Sequence, residues 1–202
     1  YVPGGASIVG TDSGPSDYGP AFPVFLDAFY IDALETTNAQ YEAYRSALRE
    51  DKKRVPPNSA NANAVEFPAL GVAWGDAQNF LKWVGKELPT EAEFEKAART
   101  GEGWRAPWGN GRAVWAEPRT PQLISIGGSF PGDQSPYGAF DLAGNAREWT
   151  SDFFQPAAHQ EAYELAQSKT LTNWTGPKKA ITGSQRVIKG GGADWAGWHR
   201  AG

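Results

Sequence analysis

Leu88-Pro89-Thr90-Glu91-Ala92-Glu93-Phe94-Glu95-Lys96-Ala97-Ala98-Arg99 carries a complete local instruction for a helix. Thr90 stands at an N-cap and Glu93 three residues on, so each can bond the other's backbone N–H in a capping box. The box predicts a helix over residues 91–99, with Phe94, Ala97 and Ala98 as its buried side. Glu91, Glu93 and Glu95 invite a reading as paired carboxylates for acid–base work. Residues two apart on a helix point to different faces, and acids in a first turn favour the helix dipole, so structural roles are expected.

Working outward, Thr37-Asn38-Ala39-Gln40 repeats the same device. Tyr41, Tyr44 and Leu48 follow at helical spacing and predict a helix over residues 38–49. A further helix is expected over residues 74–84, lined by Ala77, Phe80, Leu81 and Val84, with Gly85 at the C′ position. Residues 25–31 read as a strand, residues 51–66 as a polar loop, and residues 123–126 and 186–189 as short β segments. Beyond Gly101 the only helical period expected is near residues 158–167. With 24 Gly and 15 Pro, turns are frequent and regular structure is sparse. One α+β domain over residues 1–202, with long ordered loops, fits this pattern.

Composition removes several function classes. The net charge is −4, and the only basic run, Lys52-Lys53-Arg54, follows Glu50-Asp51; nucleic acid is not an expected partner. No apolar run approaches the ~20 residues of a membrane span. The 202 residues include no Cys, which removes disulfides, thiolate metal sites and thiol catalysis. The 9 Trp mark a core or a binding surface built on large rings with a polar edge.

Five segments, in order, resemble the formylglycine-generating-enzyme (sulfatase-modifying factor) family. They are Pro3-Gly4-Gly5 with Phe29-Tyr30-Ile31-Asp32 and Glu35-Thr36-Thr37-Asn38-Ala39-Gln40-Tyr41; Phe67-Pro68 with Trp74-Gly75-Asp76-Ala77; residues 88–99 with Pro107-Trp108-Gly109; residues 137–152, which contain Gly144-Asn145-Ala146-Arg147-Glu148-Trp149; and Arg186-Val187-Ile188-Lys189-Gly190-Gly191. The resemblance implies an irregular C-type-lectin-like fold. It also implies that an active member would place a copper-binding pair of cysteines near Trp195 and Arg200, where this chain has neither. Copper- and thiol-dependent oxidation is therefore excluded. His159 and His199 are the only histidines, too few for the three-histidine iron site of related enzymes. The family's closing segment would lie beyond Gly202, so a final strand is expected to be missing, disordered or supplied from elsewhere.

Carried over residue by residue, the resemblance assigns Asn145 and Glu148, with nearby carbonyls, to a structural Ca²⁺; oxygen donors in a tight Gly turn suit a hard cation. A second calcium site, in residues 110–118, is expected to be lost. Trp195, Trp198, His199 and Arg200 fall where this fold presents its ligand surface, and could stack on a sugar or grip a carboxylate; an inward-packing strand is the competing reading. Asn173-Trp174-Thr175 is an N-glycosylation sequon. The function expected is a non-catalytic extracellular, cell-surface or periplasmic module binding a glycan, peptide or protein. A retroelement-diversified binder is a variant of that reading. The alternatives are a self-assembling structural subunit of a larger assembly or filament, and an enzyme of other chemistry.

Overall fold

A computed structural model describes residues 1–12, 18–111, 124–180 and 183–190. Its elements run β1 (Gly5–Val9), β2 (Phe22–Leu26), α1 (Asn38–Glu50), α2 (Trp74–Trp83), α3 (Glu91–Arg99), a 3₁₀ turn (Pro131–Asp133), β3 (Glu148–Phe153), α4 (Ala158–Ala166) and β4 (Arg186–Lys189). β1 and β2 form one antiparallel pair, and β3 and β4 another.

α3 lies at the middle, packed against all four strands. Both halves of its capping box form. Thr90 Oγ1 accepts from Glu93 N at 3.1 Å, and the Glu93 carboxylate accepts from Thr90 N at 2.7 Å. Every residue of α3 except Glu93 is buried, so the expectation of a single buried side at Phe94, Ala97 and Ala98 was too narrow. Thr90→Ala removes the cap oxygen and should lower stability by about 1 kcal/mol, read as a shift of the urea unfolding midpoint with unchanged slope.

α1 carries the matching box at Thr37 and Gln40, and lays Tyr41 and Tyr44 against Phe80 of α2. Gly85 follows α2 at φ +75°, as a C′ residue does. The strand expected at residues 25–31 lies earlier, at Phe22–Leu26. There Phe22, Val24 and Leu26 point inward and Pro23 and Phe25 outward, the alternation of a half-buried strand. Phe29 makes only a bridge to Val2. Of the β segment expected at residues 123–126, Leu123 lies outside the described residues and the rest forms no strand.

Two apolar clusters flank α3. One gathers Val9, Phe22, Val24, Leu26, Ala92, Ala162 and Leu171; the other gathers Val2, Phe94, Ala97, Ala98, Ala139 and Leu142. Among the described residues no helix is long and apolar enough to cross a membrane.

Candidate functional site

Glu91 and Glu95 are one turn apart on α3 and share a face. The cation between them is Lys189 of β4, whose Nζ stands 2.6 Å from Glu91 Oε1 and 2.6 Å from Glu95 Oε1. Glu95 Oε2 accepts from Arg99 Nη1 and from Gly10 N, each at 2.8 Å. Glu91 N donates to Asp152 Oδ2 at 2.8 Å, and His159 Nε2 stands 3.2 Å from Glu91 Oε1. Lys189 is 1% exposed and Glu95 0%.

Burial disfavours every one of these charges, and mutual pairing opposes it. Burial raises Glu91, but Lys189 and His159 more than offset it and bring the carboxyl down to about 2. Burial lowers Lys189, and Glu91 and Glu95 carry it above the usual range. Asp152 is pushed up to about 7 by burial and by the Glu91 charge. The divergence expected of residues two apart overlooked Glu91 and Glu95, which stand four apart and meet on Lys189. The pairing itself was illegible, because α3 and β4 meet only in the folded chain.

The second constellation surrounds Asn145, which adopts φ +62°. Its Nδ2 donates to Glu35 Oε2 at 2.6 Å and to Ser125 O at 3.0 Å, and its Oδ1 accepts from Ser125 N at 2.8 Å. Ala146 N donates to Glu35 Oε1 at 2.8 Å. Glu148 Oε2 is out of solvent and has no hydrogen-bond partner among the described residues. Its carboxyl is raised well above the usual range, first by burial and then by Glu35, Asp141 and Asp133. Gly190, at φ +80°, closes over this oxygen: a Cβ there would stand 2.2 Å from Glu148 Oε2 and 3.1 Å from Ala146 O. Those two oxygens therefore converge on one spot. Among the described residues no group of three or more His, Cys, Asp and Glu side chains is arranged around a metal position. An ion here would draw on the Glu148 carboxylate and the Ala146 carbonyl, oxygen donors that suit a hard cation, whereas Asn145 Oδ1 already accepts from Ser125 N.

Trp195, Trp198, His199 and Arg200 lie outside the described residues, as do residues 112–118 of the second calcium segment. The exposed Asn173 side chain is engaged with Asp27: Oδ1 accepts from Asp27 N at 2.9 Å and Nδ2 donates to Asp27 Oδ2 at 2.8 Å. Sequence reading missed a further stack. The Arg186 guanidinium lies 3.8 Å from the centre of the Trp74 ring and 3.5 Å from that of Phe153, and its Nη1 donates to Ser151 O at 2.6 Å. Trp74 Nε1 bonds Thr150 O, and Trp149 Nε1 bonds Val72 O. These two tryptophans therefore tie the start of α2 to β3, an arrangement no local spacing announces.

A family model described as "Sulfatase-modifying factor enzyme 1-like domain" matches residues 1–198. The "Formylglycine-generating enzyme" of Bos taurus is 28% identical over 94% of this chain and 64% of its own length. The "Inactive C-alpha-formylglycine-generating enzyme 2" of Bos taurus is 30% identical over 77% of this chain and 71% of its own. The "Serine/threonine-protein kinase pkn1" of Chlamydia caviae is 28% identical over 95% of this chain. The chain spans 32% of that kinase's length. Among solved structures, Treponema denticola variable protein 1 superimposes with a TM-score of 0.66 at 18% identity, over 95% of this chain and 82% of the other. That likeness is one of fold, and it matches the α+β arrangement expected from the sequence.

Proposed function

The chain belongs to the sulfatase-modifying factor enzyme 1-like family, and on that premise we propose that it is a non-catalytic ligand-binding module acting outside the cytoplasm, on a cell surface, in the extracellular space or in the periplasm. The observation that carries this reading is the chain's total lack of Cys, set against a family activity that the resemblance ties to a copper-binding cysteine pair. A relative whose own name calls it inactive supports the idea that the fold is kept without the oxidation.

Trp195, Trp198, His199 and Arg200 form the proposed contact surface for a glycan, peptide or protein. Indole rings and a guanidinium supply large, rigid contact area and planar hydrogen bonding, the residue types that dominate binding energies. They follow β4 in the chain, and the Lys189 of β4 is fastened in the core. Asn145 and Glu148, with the Ala146 carbonyl, would hold a structural Ca²⁺. The ion would supply positive charge among the acids that raise Glu148, and the chain's part is to keep the two converging oxygens in place. Asn173 is the proposed glycan acceptor should the chain pass through a glycosylating compartment.

The test is binding to glycan and peptide arrays with and without calcium. Trp195→Ala and Arg200→Ala should each weaken binding at least about tenfold, a loss typical of interface anchors, with far-UV circular dichroism unchanged. Calcium at about 100 times its dissociation constant should add about 2.7 kcal/mol of stability, and Glu148→Gln should abolish that gain. Binding indifferent to both surface variants would sink the ligand reading. A stable particle many times the 21.8 kDa chain mass by light scattering would replace it with an assembly subunit.

A further inference from the structure

Among the described residues, the buried charges gathered around Glu91 and Glu95 are one proton short of neutrality. From α3 they include Glu91, Glu95 and Arg99; from β4, Lys189; from β3, Asp152; and from α4, His159. Lys96 also belongs to α3, but its Nζ bonds Gly5 O on the β1 side. The Tyr18 ring lies 5.8 Å from Lys189 Nζ. Three buried carboxylates thus face two buried permanent cations, Arg99 and Lys189, while the half-buried Arg186 of β4, stacked on Trp74 and Phe153, also acts on Asp152. Only His159 and Asp152 can take up the balancing proton near neutral pH, and both are attached to Glu91. His159 meets the Glu91 carboxylate, and Asp152 accepts the Glu91 backbone N–H at the start of α3.

The surroundings keep solvent away from that proton. His159 is 3% exposed and Asp152 2%. The Phe22 and Trp174 rings stand edge-on to the imidazole, with centroids at 5.4 and 6.0 Å. His159 Nδ1 has no hydrogen-bond partner among the described residues, and neither has Asp152 Oδ1. Gly10 seals the histidine side, since a Cβ there would lie 2.8 Å from Nδ1; Gly176 seals the aspartate side, since a Cβ there would lie 2.8 Å from Oδ1.

We propose that His159, Asp152 and Glu91 form a proton switch that clamps α4 and β3 to the start of α3 at mildly acidic pH and relaxes as the pH rises past neutral. With the proton bound the cluster is balanced; without it, an uncompensated negative charge is confined among apolar rings. The direction of linkage follows from which state holds the proton. Burial lowers His159, but the Glu91 hydrogen bond and the Glu91 and Glu95 charges leave it raised above 6.5. Asp152 is raised from 3.8 to about 7. Both contributions are complete below the ordinary values and are lost as pH climbs through the folded ones. Glu91 works the other way: its contribution is present above 4.5 and fails as pH falls towards about 2. Stability should therefore be greatest in the mildly acidic range.

Urea unfolding at pH 5.5 and 8.5, at fixed ionic strength, tests this. The unfolding equilibrium constant of the wild-type domain should rise on the order of tenfold or more between the two. The double variant His159→Gln, Asp152→Asn should show no such rise. A flat wild-type profile, or an undiminished slope in the double variant, overturns the proposal. Should the variant fail to fold, the wild-type histidine proton signals decide. There are two histidines, and the His159 signal should titrate with a midpoint above 6.5; a midpoint at or below that value overturns it.

Discussion

Lys189→Met should lower the stability of the domain by about 3–5 kcal/mol, the usual result of removing one partner from a buried ion pair. The methionine fills much of the same volume, so the loss is electrostatic rather than a cavity effect. Lys189 is the cation shared by Glu91 and Glu95. Without it, Glu95 keeps Arg99 and the Gly10 N–H, and among the described residues Glu91 keeps only His159 and its place at a helix start. Net stabilities of small domains are about 5–15 kcal/mol, so the variant should be marginally folded at room temperature. Urea unfolding followed by tryptophan fluorescence measures it. Two comparisons isolate the cause. Lys86→Ala removes an exposed pair with Asp32 and should change stability by less than about 0.5 kcal/mol. Adding Glu91→Gln to Lys189→Met removes the charge left least compensated and should recover part of the loss, a non-additivity expected of groups in one network. Equal losses for Lys189→Met and Lys86→Ala would mean that the central cluster contributes nothing special.

The same cluster marks the limit of what the sequence could disclose. Capping boxes are local, so Thr37/Gln40 and Thr90/Glu93 placed the starts of two helices correctly, and Gly85 placed the end of a third. β4 was legible at its observed bounds, Arg186–Lys189. β3 was not, because Glu148–Phe153 becomes a strand only by pairing with β4. β2 was read three residues late: the run from Phe25 onward is apolar, but Phe22 and Val24 owe their burial to β1 and α4. The partner of the charged face of α3, Lys189, lies 94 residues beyond Glu95. At the acidic cradle, Asn145 and Glu148 were legible from one motif, whereas Glu35, 110 residues before Asn145, was not. Where a residue's role depends on a distant partner, composition and periodicity carry no signal for it.

Phe22→Ala should be nearly as damaging, with a loss of about 3–5 kcal/mol. Phe22 is 0% exposed, sits in the apolar cluster between β2, α3 and α4, and meets both His159 and Trp174 edge-on, with centroids at 5.4 and 5.0 Å. Truncation leaves a cavity that the paired β1–β2 backbone restrains from collapsing, and the two edge contacts go with the ring. Phe22→Leu keeps more of the volume and should cost less than the alanine variant. The ring also stands between the apolar cluster and the imidazole. Opening a cavity there admits water to His159 and relieves the burial that lowers it, so the imidazole is carried further above its ordinary value. Phe22→Ala should therefore be less stable at every pH and should also show a steeper fall between pH 5.5 and 8.5 than the wild type. A variant that loses stability but keeps the wild-type pH slope would separate packing from proton binding, and would mean that the low polarity around His159 comes from Trp174 and Gly10 rather than from Phe22.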